Sequence, residues 1–278
     1  LDLLWLDGQA LQAHLRSDAY VAGIYETVSG HVHPLHYTLG LLALAQKLGV
    51  KVYEHSVVQA LDMGPPARLL VNGQEVRADF VVLAGNCSLP AWSPAVAPRV
   101  HERIMPVGTY MIATSPLSAT QAAELMPTRA AVCDNNFVLD YYRLGADNSL
   151  LFGGRVSYTT RTPARLAQRM QQRMATVFPS LRDQPVHYLW GGFVDISMNR
   201  APDFGRIAPH VYYLQGFSGH GLALTGLAGR VVAEAIHGQA DRFDVFARLR
   251  HHRFPGGARW RTPVLALGMA FHRLRDWL

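Results

Sequence analysis

Between Val211 and Gly229 the chain reads VYYLQGFSGHGLALTGLAG. Five residues of strong strand-forming character, Val211–Gln215, lead through Gly216, Gly219 and Gly221 into a helical pattern running from Leu222 to Ile236. A strand, a glycine turn and a helix in direct succession commit this part of the chain to an α/β unit. Glycines in such a turn let the backbone approach a flat or anionic ligand, and the first N–H groups of the helix favour negative charge. The spacing is not G-x-G-x-x-G, so the turn does not spell a dinucleotide pyrophosphate loop. On pattern alone, ligand binding and a plain glycine-rich turn both stay open.

The rest of the chain alternates in a way that suits the same class. Gln9–Arg16 reads as a short helix and Tyr20–Val28 as a strand. Pro34 can open a helix without losing a needed donor; Leu35, Leu39, Leu42, Ala45 and Leu48 recur at helical spacing, and Gly49 closes it. Lys51–Glu54 and Ser56–Leu61 read as strands, Asn72-Gly73 as a hairpin turn, and Phe80–Ala84 as a buried strand stopped by Gly85-Asn86. From about Arg99 to Trp190 strands dominate: Ile104–Thr114, Asn136–Leu144 and Leu150–Val156, crossed by one helix over Pro163–Val177. A final amphipathic helix is expected over Val264–Leu278. A strand-rich insertion between halves of an α/β unit predicts two domains built from alternating stretches, residues 1–29 with 99–194 and residues 30–98 with 195–278.

Composition narrows the function classes. Of 278 residues, 49% are hydrophobic and 17% charged, enough to build a packed core and too apolar for a disordered chain. The formal charge is +6, but Lys47 and Lys51 are the only lysines and the arginines are scattered, so a nucleic-acid surface is not expected. No apolar run reaches the length of a membrane span. Cys87 and Cys133 are too few for a disulfide framework or a zinc site and fit two reduced thiols, hence a cytoplasmic setting.

A few residues invite chemistry. His220 sits inside the glycine turn, among backbone donors. His31 and His33 form an H-x-H pair, yet no third ligand is placed to complete a metal site, and capping or exposure is the simpler role. Trp190-Gly191-Gly192, followed by a polar exit from Asp195 to Gly205, could line a pocket or serve as an ordinary connection. Tyr141 and Tyr142 are neighbours on a strand and must face opposite sides, so at most one points into a given cavity. Nothing resembles a hydrolase triad, a nucleophile elbow or H-E-x-x-H.

Taken together, several phrases resemble the D-amino-acid-oxidase-like superfamily of flavoproteins, and within it the gamma-glutamylputrescine oxidase group. They are SGHVHPL from Ser29, VVLAGN from Val81, PVGTYMIAT from Pro106, CDNNFVLDYYR from Cys133, LFGGR from Leu151, WGGFVDISMNR from Trp190, QGFSGHG from Gln215 and RFDVFA from Arg242. The resemblance implies a mixed α/β fold: an FAD-binding Rossmann-like domain, here without its N-terminal βαβ segment and its pyrophosphate loop, plus a substrate domain with a mostly antiparallel sheet. It implies FAD as cofactor and a small amine as substrate, oxidised to an imine and then an aldehyde, with no metal. In that frame Gly216, Phe217, Ser218, Gly219, His220, Gly221 and Leu222 would lie along the flavin, Ala84 and Gly85 beside the cofactor, and Val57 and Val58 near its adenine. Trp190 and Tyr142 would supply aromatic surface that disfavours an ammonium ion, and His220 would assist the chemistry, since neither lysine is well placed. Where the superfamily often carries Thr-x-Asp, this chain has Ser197 and Asn199. The expectation that follows is weak FAD retention by this chain alone.

Overall fold

The computed structural model describes residues 2–136, 139–157 and 162–256. In chain order the elements are β1 (Leu3–Asp7), α1 (Gly8–Leu11), β2 (Ala22–Glu26), α2 (Pro34–Lys47), β3 (Val58–Asp62), β4 (Ala67–Val71), β5 (Gln74–Ala78) and β6 (Val81–Leu83). Then come α3 (Leu89–Trp92), α4 (Pro98–His101), β7 (Ile104–Thr114), α5 (Ala119–Leu125), β8 (Val132–Cys133), β9 (Tyr141–Leu144), β10 (Leu150–Ser157) and α6 (Leu166–Val177). The chain continues with β11 (Val186–Ser197), β12 (Asp203–Ala208), β13 (Val211–Gln215), α7 (Gly221–Ile236) and α8 (Asp241–Ala247). These form two compact units, one from the described residues of Leu1–Tyr37, Gly108–Ser157 and Arg161–Gly192, the other from those of Thr38–Val107 and Phe193–Leu278.

The first unit is built on a five-stranded sheet in the order β11-β7-β10-β9-β8. The β7–β10, β10–β9 and β9–β8 pairings are all antiparallel. Strand alternation sends Tyr110, Ile112, Tyr142, Leu144, Leu150 and Phe152 to one face. There they meet Leu166, Met170, Met174 and Val177, a stripe at helical spacing on α6. Burying side chains of this size stabilises by roughly 1.5–3 kcal/mol each. The β1–β2 hairpin adds Leu6 to the same cluster, joined by Leu11 of α1 and by Leu15. A capping box on α5, in which Ser118 and Gln121 exchange side-chain and backbone bonds, fixes that helix's start.

In the second unit a three-stranded sheet runs β12-β13-β6, with β13 parallel to β6 and antiparallel to β12. Tyr212 and Leu214 on β13 pack against Ala228, Val231, Val232 and Ala235 of α7 and Phe243 of α8. A β3-β4-β5 meander, turned at Asn72-Gly73 with both residues at positive φ, joins Ala67 to Val81 and Val211 in a smaller cluster.

Several local expectations need correction. Lys51–Glu54 is not a strand. The ladder expected over Asn136–Leu144 is seen at Tyr141–Leu144, and the backbone N–H groups of Asn136 and Asp140 go instead to the Asp134 side chain. The first helix is only Gly8–Leu11, capped by Asp7, whose carboxylate accepts from Ala10 N at 2.8 Å. The helix expected from Pro163 begins at Leu166. The leucine spacing of α2 is correct, but no residue of this helix is buried: Leu35, Leu39, Leu41 and Leu44 are all exposed. The helix expected over Val264–Leu278 lies outside the described residues.

Candidate functional site

Parallel pairing of β6 with β13 places Val81 opposite Val211 and Leu83 opposite Tyr213. Both strands therefore run the same way and end side by side. Ala84-Gly85-Asn86 leaves the end of β6, and Gly216–His220 leaves the end of β13. In open α/β sheets this carboxyl edge is where ligands bind. The structure thus brings together Ala84 and Gly85 with Gly216, Phe217, Ser218, Gly219, His220, Gly221 and Leu222.

The β13 turn is bent through left-handed backbone at Gly216, Ser218 and Gly219, with φ of 78°, 51° and 93°. Phe217 is buried in the α7 cluster and Ser218 beneath it, while Gly219, His220 and Leu222 are exposed. Open space surrounds the position where a Cβ would stand on Gly219, so a flat ligand can approach the backbone there. His220 donates its N–H to Phe217 O at 2.9 Å and accepts from Leu224 N at 3.1 Å. That Leu224 bond is the first α-helical one, so the N–H groups of Gly221, Leu222 and Ala223 precede it and point out of the helix start.

A buried carboxylate holds the turn from behind. Asp195, at the end of β11, accepts from the backbone N–H groups of Gly216 and of Phe217, the latter at 3.0 Å. Its own carbonyl accepts from Ser218 N at 2.8 Å. The Asn86 side chain lies beside the same carboxylate and helps to stabilise its charge, so the β6 turn and the β13 turn both meet this residue. Burial pushes the Asp195 carboxyl above the ordinary range, against the pull of these hydrogen bonds. Ser197 adds a second tie: its hydroxyl bonds Ala201 O at 2.7 Å and lies 3.3 Å from the Ser218 hydroxyl. The sequence placed Asp195 only at the start of a polar exit that could line a pocket, and gave no sign that its carboxylate holds the glycine turn.

In the first unit, Tyr142 is 2% exposed and lies between Phe152, stacked at 5.5 Å, and Phe178, edge-on at 5.2 Å. Burial raises its phenol pKa well above the ordinary tyrosine range. The ring belongs to the core. Its neighbour Tyr141 takes the opposite face, where its hydroxyl bonds the Thr109 hydroxyl. Gly153 makes this possible, since a Cβ there would stand 2.0 Å from the Tyr141 ring. A Cβ on Gly191 would strike Tyr110, which faces the core, so Trp190 on β11 points to the side that Tyr141 occupies. Trp190 is 46% exposed there. The open face of this sheet thus carries Trp190, Tyr141 and Thr109, and Tyr142 is not among them.

The other candidates lie apart from these features. Val57 bonds Asn72 through its N–H and carbonyl, and Val58 begins β3; the meander they belong to joins the sheet at Val81 and Val211, the strand ends opposite the glycine turns. His33 stacks on His36 at 3.9 Å and accepts from its N–H at the start of α2, a capping role. Among the described residues no group of three or more His, Cys, Asp or Glu could hold a metal, and no helix is long and apolar enough to cross a membrane. Cys87 and Cys133 are not bridged.

Outward helix-start donors, an open glycine backbone and a supporting carboxylate fit the electron-rich edge of a flat conjugated ring, as a flavin would present. Comparison with known proteins agrees. A family described as FAD dependent oxidoreductase matches residues 2–235. Gamma-glutamylputrescine oxidoreductase from Escherichia coli K12 is 40% identical over 273 residues, covering 98% of this chain and 63% of that protein. Glycine oxidase from Geobacillus kaustophilus superposes with a TM-score of 0.76 at 19% identity, covering 90% of this chain and 67% of that one. L-proline dehydrogenase from P. horikoshii gives 0.72 at 18% identity, with coverage of 89% and 70%. The chain spans 62–63% of the length of the curated relatives it matches. On this sequence match and this fold, the chain belongs to the FAD-dependent oxidoreductase family.

Proposed function

We propose that this chain is the larger part of an FAD-dependent amine oxidoreductase whose substrate is a gamma-glutamylputrescine-like amine. The observation that carries the reading is the pair of glycine turns leaving adjacent parallel strands, the second held from behind by Asp195 and followed by the donors of α7. When bound, FAD supplies a two-electron acceptor for hydride from the amine-bearing carbon; the resulting imine is hydrolysed by water to an aldehyde and ammonia, or an amine where the nitrogen is substituted.

The protein's share follows from its residues. The N–H groups of Gly221, Leu222 and Ala223, with the positive end of α7, stabilise negative charge that gathers on a ring lying against them. Gly219 lets that ring come close. An ammonium has no lone pair to assist loss of hydride, so the amine reacts in its neutral form. In this reading the open sheet face of the first unit, with Trp190 and the Tyr141–Thr109 pair, presents apolar and hydroxyl surface of the kind that disfavours an ammonium ion. Tyr141 here takes the part that the sequence suggested for Tyr142. His220, exposed at the turn, assists the amine's proton or the reoxidation step.

The test is anaerobic mixing of the flavin-loaded protein with gamma-glutamylputrescine, putrescine and glycine. Bleaching of the flavin band by the first, with aldehyde formed in equal amount, is the expected result. A flavin-loaded protein that no amine bleaches would end this reading.

A further inference from the structure

We propose that Asp195 is a positioning residue that sets which backbone donors of the β13–α7 turn face the flavin, a proposal that rests on the flavin reading above. The N–H groups of Gly216 and Phe217 are taken by the Asp195 carboxylate and that of Ser218 by the Asp195 carbonyl. The His220 N–H goes to Phe217 O. The N–H groups of Gly216, Phe217, Ser218 and His220 are therefore spent inside the protein, and the helix-start set left for a ligand begins at Gly221. Asp195 is 2% exposed, so solvent cannot replace it as an acceptor.

The same carboxylate meets the Asn86 side chain, from the turn that follows β6. Asn86 itself is held in left-handed backbone, φ 48°, directly after Gly85. Asp195 thus fixes the β13 turn and stands beside the β6 turn, and both turns leave the edge at which a ligand would sit. Charged acceptors of paired backbone N–H groups make strong, directional bonds, which suits a part that must hold a turn to a fraction of an ångström. The carboxylate also leaves a buried negative charge behind the turn. Such a charge favours the oxidised over the reduced, more negative form of a flavin.

Two variants separate these roles. Asp195→Ala removes the carboxylate oxygen that accepts from Gly216 and Phe217 and keeps the carbonyl that accepts from Ser218, whereas Asp195→Asn keeps a side-chain oxygen for the N–H groups and removes the charge. Without flavin, backbone amide exchange in Asp195→Ala should speed up by roughly ten- to a hundred-fold at Gly216 and Phe217 and stay unchanged at Tyr213, with Asp195→Asn between wild type and Ala. In a titration with FAD, Asp195→Ala should bind at least roughly ten-fold more weakly. The flavin on Asp195→Asn should show a reduction potential shifted to the positive side, a readout that a purely structural residue would leave in place. Wild-type exchange rates in both variants would overturn the clamp. Faster exchange with FAD affinity and potential both at wild-type values would overturn its role toward the cofactor. A wild-type chain that takes up no FAD in the same titration counts against the flavin reading, while the exchange data still decide the clamp.

Discussion

Tyr142 meets Phe178 edge-on at 5.2 Å inside the first unit, although the residue beside it, Tyr141, looks out from the opposite face of the same strand. The Tyr142 hydroxyl is buried without a hydrogen bond of proper geometry, near a Tyr20 hydroxyl in the same condition. Removing a buried hydroxyl that lacks a good partner costs little, whereas removing the ring opens a cavity. Tyr142→Phe should keep wild-type stability to within about 1 kcal/mol, and Tyr142→Ala should lose about 3–5 kcal/mol. Denaturant unfolding measures both. Tyr141→Phe, by contrast, should fold normally and lower turnover with the amine, because it strips the Thr109 bond from the open face. Normal turnover in Tyr141→Phe alongside a defect in Tyr142→Phe would reverse the assignment.

The difference between these two tyrosines marks the limit of what the sequence discloses. That they face opposite sides follows from strand alternation; which one is inside depends on Met170 and Met174 of α6, some thirty residues later in the chain. The strand–turn–helix at Val211–Ile236 and the Asn72-Gly73 hairpin were legible because each is encoded locally, by glycines and by a change of hydrophobic period. The role of Asp195 was not, since its partners are backbone atoms 21 and 22 residues away and no side-chain type announces them. The fate of Asn136 and Asp140 hid for a related reason: the Asp134 side chain takes the two backbone N–H groups that a ladder would otherwise use.

Tyr213 gives a pH signature. Burial, followed by the charge of Asp203, pushes its phenol up to about 12 from the ordinary 10.0. The folded state therefore favours the protonated phenol more than the unfolded chain does. Its contribution is fully present below pH 10 and is lost as pH rises toward 12, an effect on the order of 2 kcal/mol. Tyr213→Phe forfeits the 3.2 Å hydrogen bond to Asp203 and should be about 1 kcal/mol less stable at neutral pH. Between pH 10 and 12, however, its melting temperature should fall less than that of wild type. Parallel curves across that window would show that Tyr213 is not the group responsible.

His220 can be separated from the turn that carries it. Its backbone bonds, to Phe217 O and from Leu224 N, survive truncation of the side chain. His220→Ala should thus keep its flavin content while turnover falls by roughly ten- to a thousand-fold. Rapid-mixing measurement of the two half-reactions then locates the loss: slow flavin reduction implicates the amine step, slow reoxidation the acceptor step. Wild-type rates in both, at full flavin loading, would make His220 a structural turn residue.

Gly216 and Gly219 both hold positive φ, yet their surroundings predict different consequences of adding one methyl group. At Gly216 a Cβ would come within 2.9 Å of Asp203 N and 3.1 Å of Asp203 Cβ, so Ala there meets backbone as well as dihedral strain. At Gly219 nothing stands within 4 Å of that position, leaving the dihedral strain alone. Gly219→Ala should therefore cost about 1–2 kcal/mol of stability, and Gly216→Ala more than that. The order should reverse when flavin binding is scored per folded molecule. The open space over Gly219 is where the ring would approach, so its methyl group would obstruct the ligand, while Gly216 is already buried beneath the turn. Thermal unfolding and FAD titration of the two variants give both orders. If Gly219→Ala binds FAD as tightly as wild type, the ligand does not approach the turn from that side.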